Sequence, residues 1–212
     1  MIEKLCDTAI VAGDKIMQVY SSTEIDFELK GNDSPLTLAD KLSHDHIISA
    51  LKKLFPDIPI ISEEDKELVN YETRKAYHRF WLIDPLDGTK EFIRKEKDFT
   101  VNIALIENRK PVLGVVYAPA RKWLYVGDET GALKILEGSM EKLPCKISEE
   151  VTAVRSKSHA SESEDVILKK YNATKSTSMG SSLKFCLVAE GEADIYYRAG
   201  PTWEWDSAAA HA

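Results

Sequence analysis

The stretch that most constrains this chain is Trp81-Leu82-Ile83-Asp84-Pro85-Leu86-Asp87-Gly88-Thr89-Lys90-Glu91-Phe92. Phe80 to Ile83 is apolar and reads as a short buried strand. Pro85 and Gly88 then demand a tight turn. From Thr89, a hydroxyl at the cap followed by Glu91 suits a helix start. Asp84 and Asp87 therefore fall on a loop at the carboxyl end of a strand, where α/β proteins place ligand sites. Two carboxylates on either side of such a turn can converge, and they repel unless a cation neutralises them. Hard oxygen ligands of this kind suit Mg²⁺ or Mn²⁺. The N–H groups near Gly88 and Thr89 offer an anion site, and a metal beside an anion pocket points to a phosphate. Taken alone, the same residues also read as a structural Asp-Pro turn with a helix-capping Asp.

The rest of the chain supplies the scaffold. Ile2, Leu5, Cys6, Ala9, Ile16 and Tyr20 recur at helical steps, which predicts an amphipathic packing helix over 2–20. Ile25, Phe27 and Leu29 alternate with charged residues and predict a half-exposed strand. A second helix is expected from about Leu36 to Phe55, with Leu42, Ile47, Leu51 and Leu54 as its buried stripe. Asp40 lies in its first turn, where a carboxylate suits the helix dipole. His44 and His46 point to different helix faces and read as surface or satisfied histidines rather than a metal pair. Ile58 to Ile61 is a short strand that runs into Ser62-Glu63-Glu64-Asp65, an acidic run placed after a strand as Asp84 is. Lys66 to Arg79 reads as a mobile polar loop with a short helix.

Apolar runs at 99–107, 112–118, 123–126 and 132–136 are joined by short turns, which predicts an antiparallel meander. Residues 138–150 read as a connector. Beyond it, strand and helix alternate: strand 151–154, a loop at Arg155 to His159, a helix over 161–171 capped by Ser161, a helix over 182–190, a strand at 193–198 and a final helix from Asp206.

A length of 212 residues with 43% hydrophobic side chains allows one large domain or two halves sharing a core. The net charge of −7 makes bulk attraction to nucleic acid unfavourable, so a nucleic-acid partner is not expected. Cys6, Cys145 and Cys186 form no Cys-x-x-Cys pair, so neither a zinc site nor a disulfide framework is expected. Free thiols fit a reducing cytosol. No signal-peptide core and no run of eighteen apolar residues is present. The expected location is the cytoplasm, with peripheral membrane association left open.

Asp84 to Phe92, the earlier Ser62-Glu63-Glu64-Asp65 and the late Trp205-Asp206-Ser207-Ala208-Ala209 together resemble the inositol monophosphatase superfamily of Mg²⁺-dependent, lithium-sensitive phosphatases. Within it, Asp84 to Phe92 and Gly180-Ser181-Ser182-Leu183-Lys184-Phe185-Cys186 look most like the bacterial 3'(2'),5'-bisphosphate nucleotidases. The resemblance covers nearly the whole chain and rests on separated motifs in the right order. It implies an α+β and α/β layered sandwich of helices and sheets. Residues 1–138 would carry an antiparallel sheet and the metal motifs, and residues 139–212 a mixed sheet and the specificity residues.

The resemblance also implies the site. Glu63, Asp84, Asp87 and Asp206 would bind two or more Mg²⁺ ions, with Mn²⁺ able to substitute, and the backbone carbonyl of Leu86 would join them. Asp40 and Thr89 would position the attacking water, and the N–H groups of Gly88 and Thr89 would hold the phosphate. His159, Ser181, Lys184 and Arg198 fall where the nucleotidases contact adenosine bisphosphate, and Lys184 and Arg198 are suited to a second phosphate. Lys90 and Glu91 read as surface or supporting residues. Trp203 and Trp205 either stack a base or pack the core, the latter being the commoner role. The implied activity is removal of the 3'-phosphate from 3'-phosphoadenosine 5'-phosphate, giving AMP and phosphate in sulfate assimilation. An inositol monophosphatase and a non-catalytic nucleotide- or Mg²⁺-binding protein are the alternatives. The family continues past the last helix with strand-forming sequence, whereas this sequence stops at Ala212. A shortened C-terminal half is therefore expected, with a last helix that needs good packing to be stable. The sequence leaves the oligomeric state open.

Overall fold

Residues 79–87 and 100–107 pair antiparallel, Ile83 opposite Ile103, and the other layers are built on that ribbon. The computed structural model describes residues 1–30, 34–65, 69–144, 146, 150–157 and 162–212, the side chains of 162 and 163 excepted. His159, Cys145 and the expected cap Ser161 lie outside the described residues. The first half runs α1 (Ile2–Tyr20), β1 (Phe27–Leu29), β2 (Pro35–Thr37), α2 (Leu38–Leu54), β3 (Ile60–Ser62), α3 (Tyr71–Arg74), β4 (Arg79–Asp87) and α4 (Thr89–Ile93). The meander is β5 (Thr100–Glu107), β6 (Lys110–Ala118), β7 (Trp123–Asp128), β8 (Gly131–Leu136) and β9 (Ser139–Lys142). The remainder is β10 (Thr152–Ser156), α5 (Glu162–Lys170), β11 (Lys175–Met179), α6 (Leu183–Glu190), β12 (Ile195–Tyr196) and α7 (Glu204–His211).

A seven-stranded sheet takes the order β3-β4-β5-β6-β7-β8-β9. Its strands are antiparallel neighbours except β3, which lies parallel to β4. A three-stranded sheet, β11-β10-β12, is parallel throughout. The layered sandwich is as expected, but the sheet types are not: the large sheet is mixed rather than antiparallel because β3 joins it parallel to β4, and the small sheet is parallel rather than mixed. Residues 138–150 do not form a plain connector, because Ser139–Lys142 pairs with β8 and extends the meander.

The central strands read as unbroken apolar runs because both of their faces are covered. Trp81, Ile83, Val101, Ile103 and Leu105 pack with Leu5, Ala9, Ile16, Ile47 and Leu51 of α1 and α2. Their neighbours Leu82, Ala104 and Ile106 point the other way, into a cluster with Leu183, Cys186, Trp205, Ala208 and Ala209 of α6 and α7. The period of two along each strand thus divides the core between the two helical layers.

The last helix is short, and its alanines let it pack closely on the sheet. Ala208 and Ala209 are buried against the sheet at Gly114, where a Cβ would meet the carbonyl oxygen of Ala209 at 1.8 Å. Only a glycine lets the helix backbone come this close. Among the described residues no helix is long and apolar enough to cross a membrane.

Two local expectations change. β1 has no buried face: Phe27 and Leu29 are both exposed, and the strand pairs only with β2 as a two-stranded ribbon. The histidines differ from each other. Nδ1 of His44 contacts Ser62 Oγ at 2.9 Å, whereas Nε2 of His46 is buried with no partner among the described residues.

Candidate metal and phosphate site

The turn and the helix start form as the sequence predicts, but β4 runs on to Asp87, so Asp84 and Asp87 lie in the strand's bulged end rather than on a loop beyond Ile83. Pro85 and Gly88 turn the chain, Gly88 adopts a left-handed φ of +88°, and α4 begins at Thr89. A bulge in the β4–β5 pairing between Asp84 and Asp87 brings both side chains toward the sheet end. Asp206 arrives from the first turn of α7, held by the Thr202 hydroxyl at 2.8 Å and the Trp203 N–H at 3.0 Å. One carboxylate oxygen from each of Asp84, Asp87 and Asp206 lies within 4.8 Å of the others.

Glu63 sits beside Asp84, close enough to share a hydrogen bond with it, but outside that three-oxygen cluster. Its Oε1 pairs with Lys30 Nζ at 2.8 Å, and Lys30 also holds Glu64 at 2.6 Å. Lys30 was not foreseen, because it reads in sequence as the polar side of a strand.

The carboxylates are a self-repelling set. Burial, then the charges of Glu63, Asp87 and Asp206, push Asp84 well above the carboxylate range. Burial and then Asp206 push Asp87 to about 7, with Lys184 pulling the other way. Buried acids that share one point and carry only oxygen donors fit a hard divalent cation, which would neutralise them. The residues present can therefore hold a metal ion.

The support around them is ordered. Leu86 N–H donates to Asp84 Oδ1 at 3.0 Å. Thr89 Oγ1 lies 3.1 Å from the Leu86 carbonyl and 3.3 Å from Asp40 Oδ1. Asp40 is fully buried and forms a capping box, its Oδ2 accepting from the N–H and hydroxyl of Thr37 at 2.7 and 2.6 Å. Burial raises its pKa to about 6 despite those bonds. Asp40 is thus both a helix cap and a neighbour of Thr89.

From the second half, Gly180 to Lys184 closes the site. Ser181 has a left-handed φ of +48°, and Ser182 N–H donates to Asp87 Oδ2 at 2.5 Å. Lys184 is 5% exposed, and its Nζ donates to the Ser181 carbonyl at 2.5 Å. Burial lowers the Lys184 pKa, and the charge of Asp87 opposes that shift. A cavity of about 180 Å³ is lined by Asp87, Gly88, Thr89, Ser181, Lys184, Arg198 and Asp206. Larger clefts of about 330 and 460 Å³ lie elsewhere and include none of the three clustered carboxylates.

The structure thus brings Asp84, Asp87 and Asp206 together, places Glu63, Asp40 and Thr89 next to them, and lines one cavity with Ser181, Lys184 and Arg198. The guanidinium of Arg198 presently donates to the Pro201 carbonyl. Glu91 is buried rather than on the surface. Trp205 packs in the core as expected, but Trp203 is 55% exposed and stacks on it at 5.2 Å, and neither lines the carboxylate cavity.

A sequence model of the inositol monophosphatase family matches residues 1–212. The chain is 48% identical to the 3'(2'),5'-bisphosphate nucleotidase CysQ of Salmonella typhimurium, over all of this chain and 86% of the relative. Identity to the protein of the same name from Escherichia coli strain K12 is 46%, with the same coverage. The crystal structure of CysQ from Bacteroides thetaiotaomicron superposes with a TM-score of 0.84 at 39% identity, over 99% of this chain and 84% of that one. The Thermotoga maritima IMPase shares the fold at a TM-score of 0.76 and 24% identity, covering 99% of this chain and 80% of that one. The chain belongs to the inositol monophosphatase family.

Proposed function

We propose that this chain is an Mg²⁺-dependent 3'(2'),5'-bisphosphate nucleotidase acting on 3'-phosphoadenosine 5'-phosphate in the cytoplasm. The observation that carries the proposal is one cavity with two chemistries: Asp87 and Asp206 of the carboxylate cluster line it together with the cations Lys184 and Arg198. Likeness to nucleotidases over the whole chain supports the choice of substrate.

Magnesium ions held by Asp84, Asp87 and Asp206, with Glu63 and the Leu86 carbonyl beside them, would neutralise phosphate charge and lower the pKa of a water molecule. The chain's own residues do the rest. Thr89 Oγ, bridging Asp40 and the Leu86 carbonyl, orients the nucleophilic water. Asp40, with its raised pKa, can take a proton through that hydroxyl. The first-turn N–H groups after Gly88 lack intrahelical acceptors and bind the phosphate to be cleaved. Lys184 and Arg198 bind the second phosphate, with Ser181 beside them. His159 is assigned to the same substrate face from sequence alone. In this reading residues 1–138 supply most of the metal site and residues 139–212 the specificity.

Phosphate release from 3'-phosphoadenosine 5'-phosphate and from inositol 1-phosphate tests the proposal. A kcat/KM at least about tenfold higher for the bisphosphate is expected, the value of one charge-assisted contact. A preference for inositol 1-phosphate would overturn it.

A further inference from the structure

Lys95-Glu96-Lys97-Asp98 is a run of four charged residues, yet Asp98 is 1% exposed. Its carboxylate accepts from three separate parts of the chain. Oδ1 takes Nε and Nη2 of Arg121 at 3.0 and 2.5 Å, from the turn between β6 and β7. Oδ2 takes Nζ of Lys157 at 2.6 Å, directly after β10. Oδ2 also takes the N–H of Gly180 at 3.3 Å, directly after β11.

The backbone of Asp98 is wedged as tightly as its side chain. A Cβ on Gly88 would come within 2.8 Å of the Asp98 carbonyl oxygen, and a Cβ on Gly180 within 2.8 Å of Asp98 Cβ. Asp98 therefore fills the gap between the turn at Gly88 and the turn at Gly180. Both of these turns line the cavity, as does Ser156, the residue before Lys157.

We propose that Asp98 is a positioning residue for substrate binding: its carboxylate fixes the carboxyl ends of β10 and β11, and so Ser156, Ser181 and Lys184, against the Gly88 turn. The kinetic consequence rests on the nucleotidase reading above, whereas the structural one does not. A nearly dry carboxylate shared by two cations and an amide is directional and charge-assisted. Replacing it with an amide leaves Arg121 and Lys157 without their buried counter-charge, and the two strand ends lose their common anchor.

Asp98→Asn, Asp98→Glu and Lys157→Met are compared with wild type in Mg²⁺ buffer by two measurements. The first is hydrogen exchange of the amides of 180–184 against those of 101–117. The second is steady-state kinetics on 3'-phosphoadenosine 5'-phosphate. In Asp98→Asn, exchange at 180–184 is expected to quicken by at least about tenfold while 101–117 stays unchanged, as for loss of one buried charged hydrogen bond. KM is expected to rise by about the same factor with kcat within roughly threefold, and Asp98→Glu to recover part of the KM. Uniform or unchanged exchange would overturn the proposal. So would an unchanged KM with kcat falling in step with thermal stability, which is the mark of a merely structural role. If wild type does not hydrolyse the bisphosphate, the nucleotidase reading fails and the exchange result alone decides on Asp98. If Asp98→Asn does not fold, Lys157→Met keeps the Arg121 pair and decides by the same measurements.

Discussion

The backbone N–H of Ser182 donates to Oδ2 of Asp87 at 2.5 Å, across 95 residues of chain. The Ser182 hydroxyl also reaches Asn102 Oδ1 and Thr100 Oγ1, each at 2.8 Å, on the strand that pairs with β4. The start of α6 is thus stapled to the ribbon that carries Asp84 and Asp87.

Asp87→Asn keeps the shape and removes one charge from the cluster. A fall in kcat of at least about a hundredfold is expected, a loss of roughly 3 kcal/mol in transition-state stabilisation. Excess EDTA should abolish wild-type turnover and added Mg²⁺ restore it, and millimolar lithium should inhibit. Full activity in metal-free buffer would refute the metal assignment.

Thr89→Ala removes the hydroxyl between Asp40 and Leu86 and leaves every carboxylate in place. Calorimetric Mg²⁺ affinity should stay within about threefold while kcat falls by tenfold or more, because the loss is confined to the transition state. Unchanged turnover would take Thr89 out of the mechanism.

Replacing both Lys184 and Arg198 with Met should raise KM for the bisphosphate by about tenfold to a thousandfold. Hydrolysis of inositol 1-phosphate should change little, since that substrate has no second phosphate. The ratio of kcat/KM for the two substrates is the measurement. Equal losses would assign the pair to support of the 181–184 and 198–201 turns, where both now bond backbone carbonyls.

Gly114→Ala tests the seating of α7, because the new methyl would collide with the Ala209 carbonyl. A loss of about 3 kcal/mol in denaturant unfolding is expected, together with weaker Mg²⁺ binding as Asp206 is displaced. Gly200→Ala is the control, with open space around its Cβ. Equal stability of the two variants would contradict the close helix–sheet contact.

Asp98 also makes a pH prediction. Burial alone would raise its pKa, but the hydrogen bonds from Lys157 and Arg121 outweigh burial and hold it below the usual carboxylate range. Glu96 faces the same Lys157 at 3.1 Å. The native state therefore binds fewer protons at Asp98 than the unfolded state does. Its stabilising contribution is complete above the unfolded carboxylate pKa of about 3.9 and is lost as pH falls through the lower folded value. The stability difference between wild type and Asp98→Asn should be constant at neutral pH and narrow below about pH 4. A difference that stays constant down to about pH 2 would contradict the ion pairing.

What lay in local sequence was legible without coordinates. The proline turn and helix start before Phe92 are set by neighbouring residues, so Asp84, Asp87 and Thr89 could be placed together at a strand end, although the strand itself runs on to Asp87. The place of Asp40 in the first turn of α2 was legible for the same reason, whereas its capping box with Thr37 was not read from the sequence. Asp206 joins Asp84 and Asp87 only because α7 lies against Gly114, a contact that no local pattern encodes. Asp98 and Glu91 are buried, because the neighbours that cover them come from segments distant in the chain, among them the turn at Gly180 and, for Asp98, Arg121 and Lys157. The pairing of Ser139–Lys142 with β8 and the grip of Lys30 on Glu63 were likewise hidden. Periodicity and turn chemistry report on interactions a few residues apart, so the sequence by itself determined the elements and the acidic loop. The cavity, the presence of Lys184 and Arg198 in its lining and the contacts at Asp98 depend on packing between segments distant in the chain, and only the tertiary structure decided them.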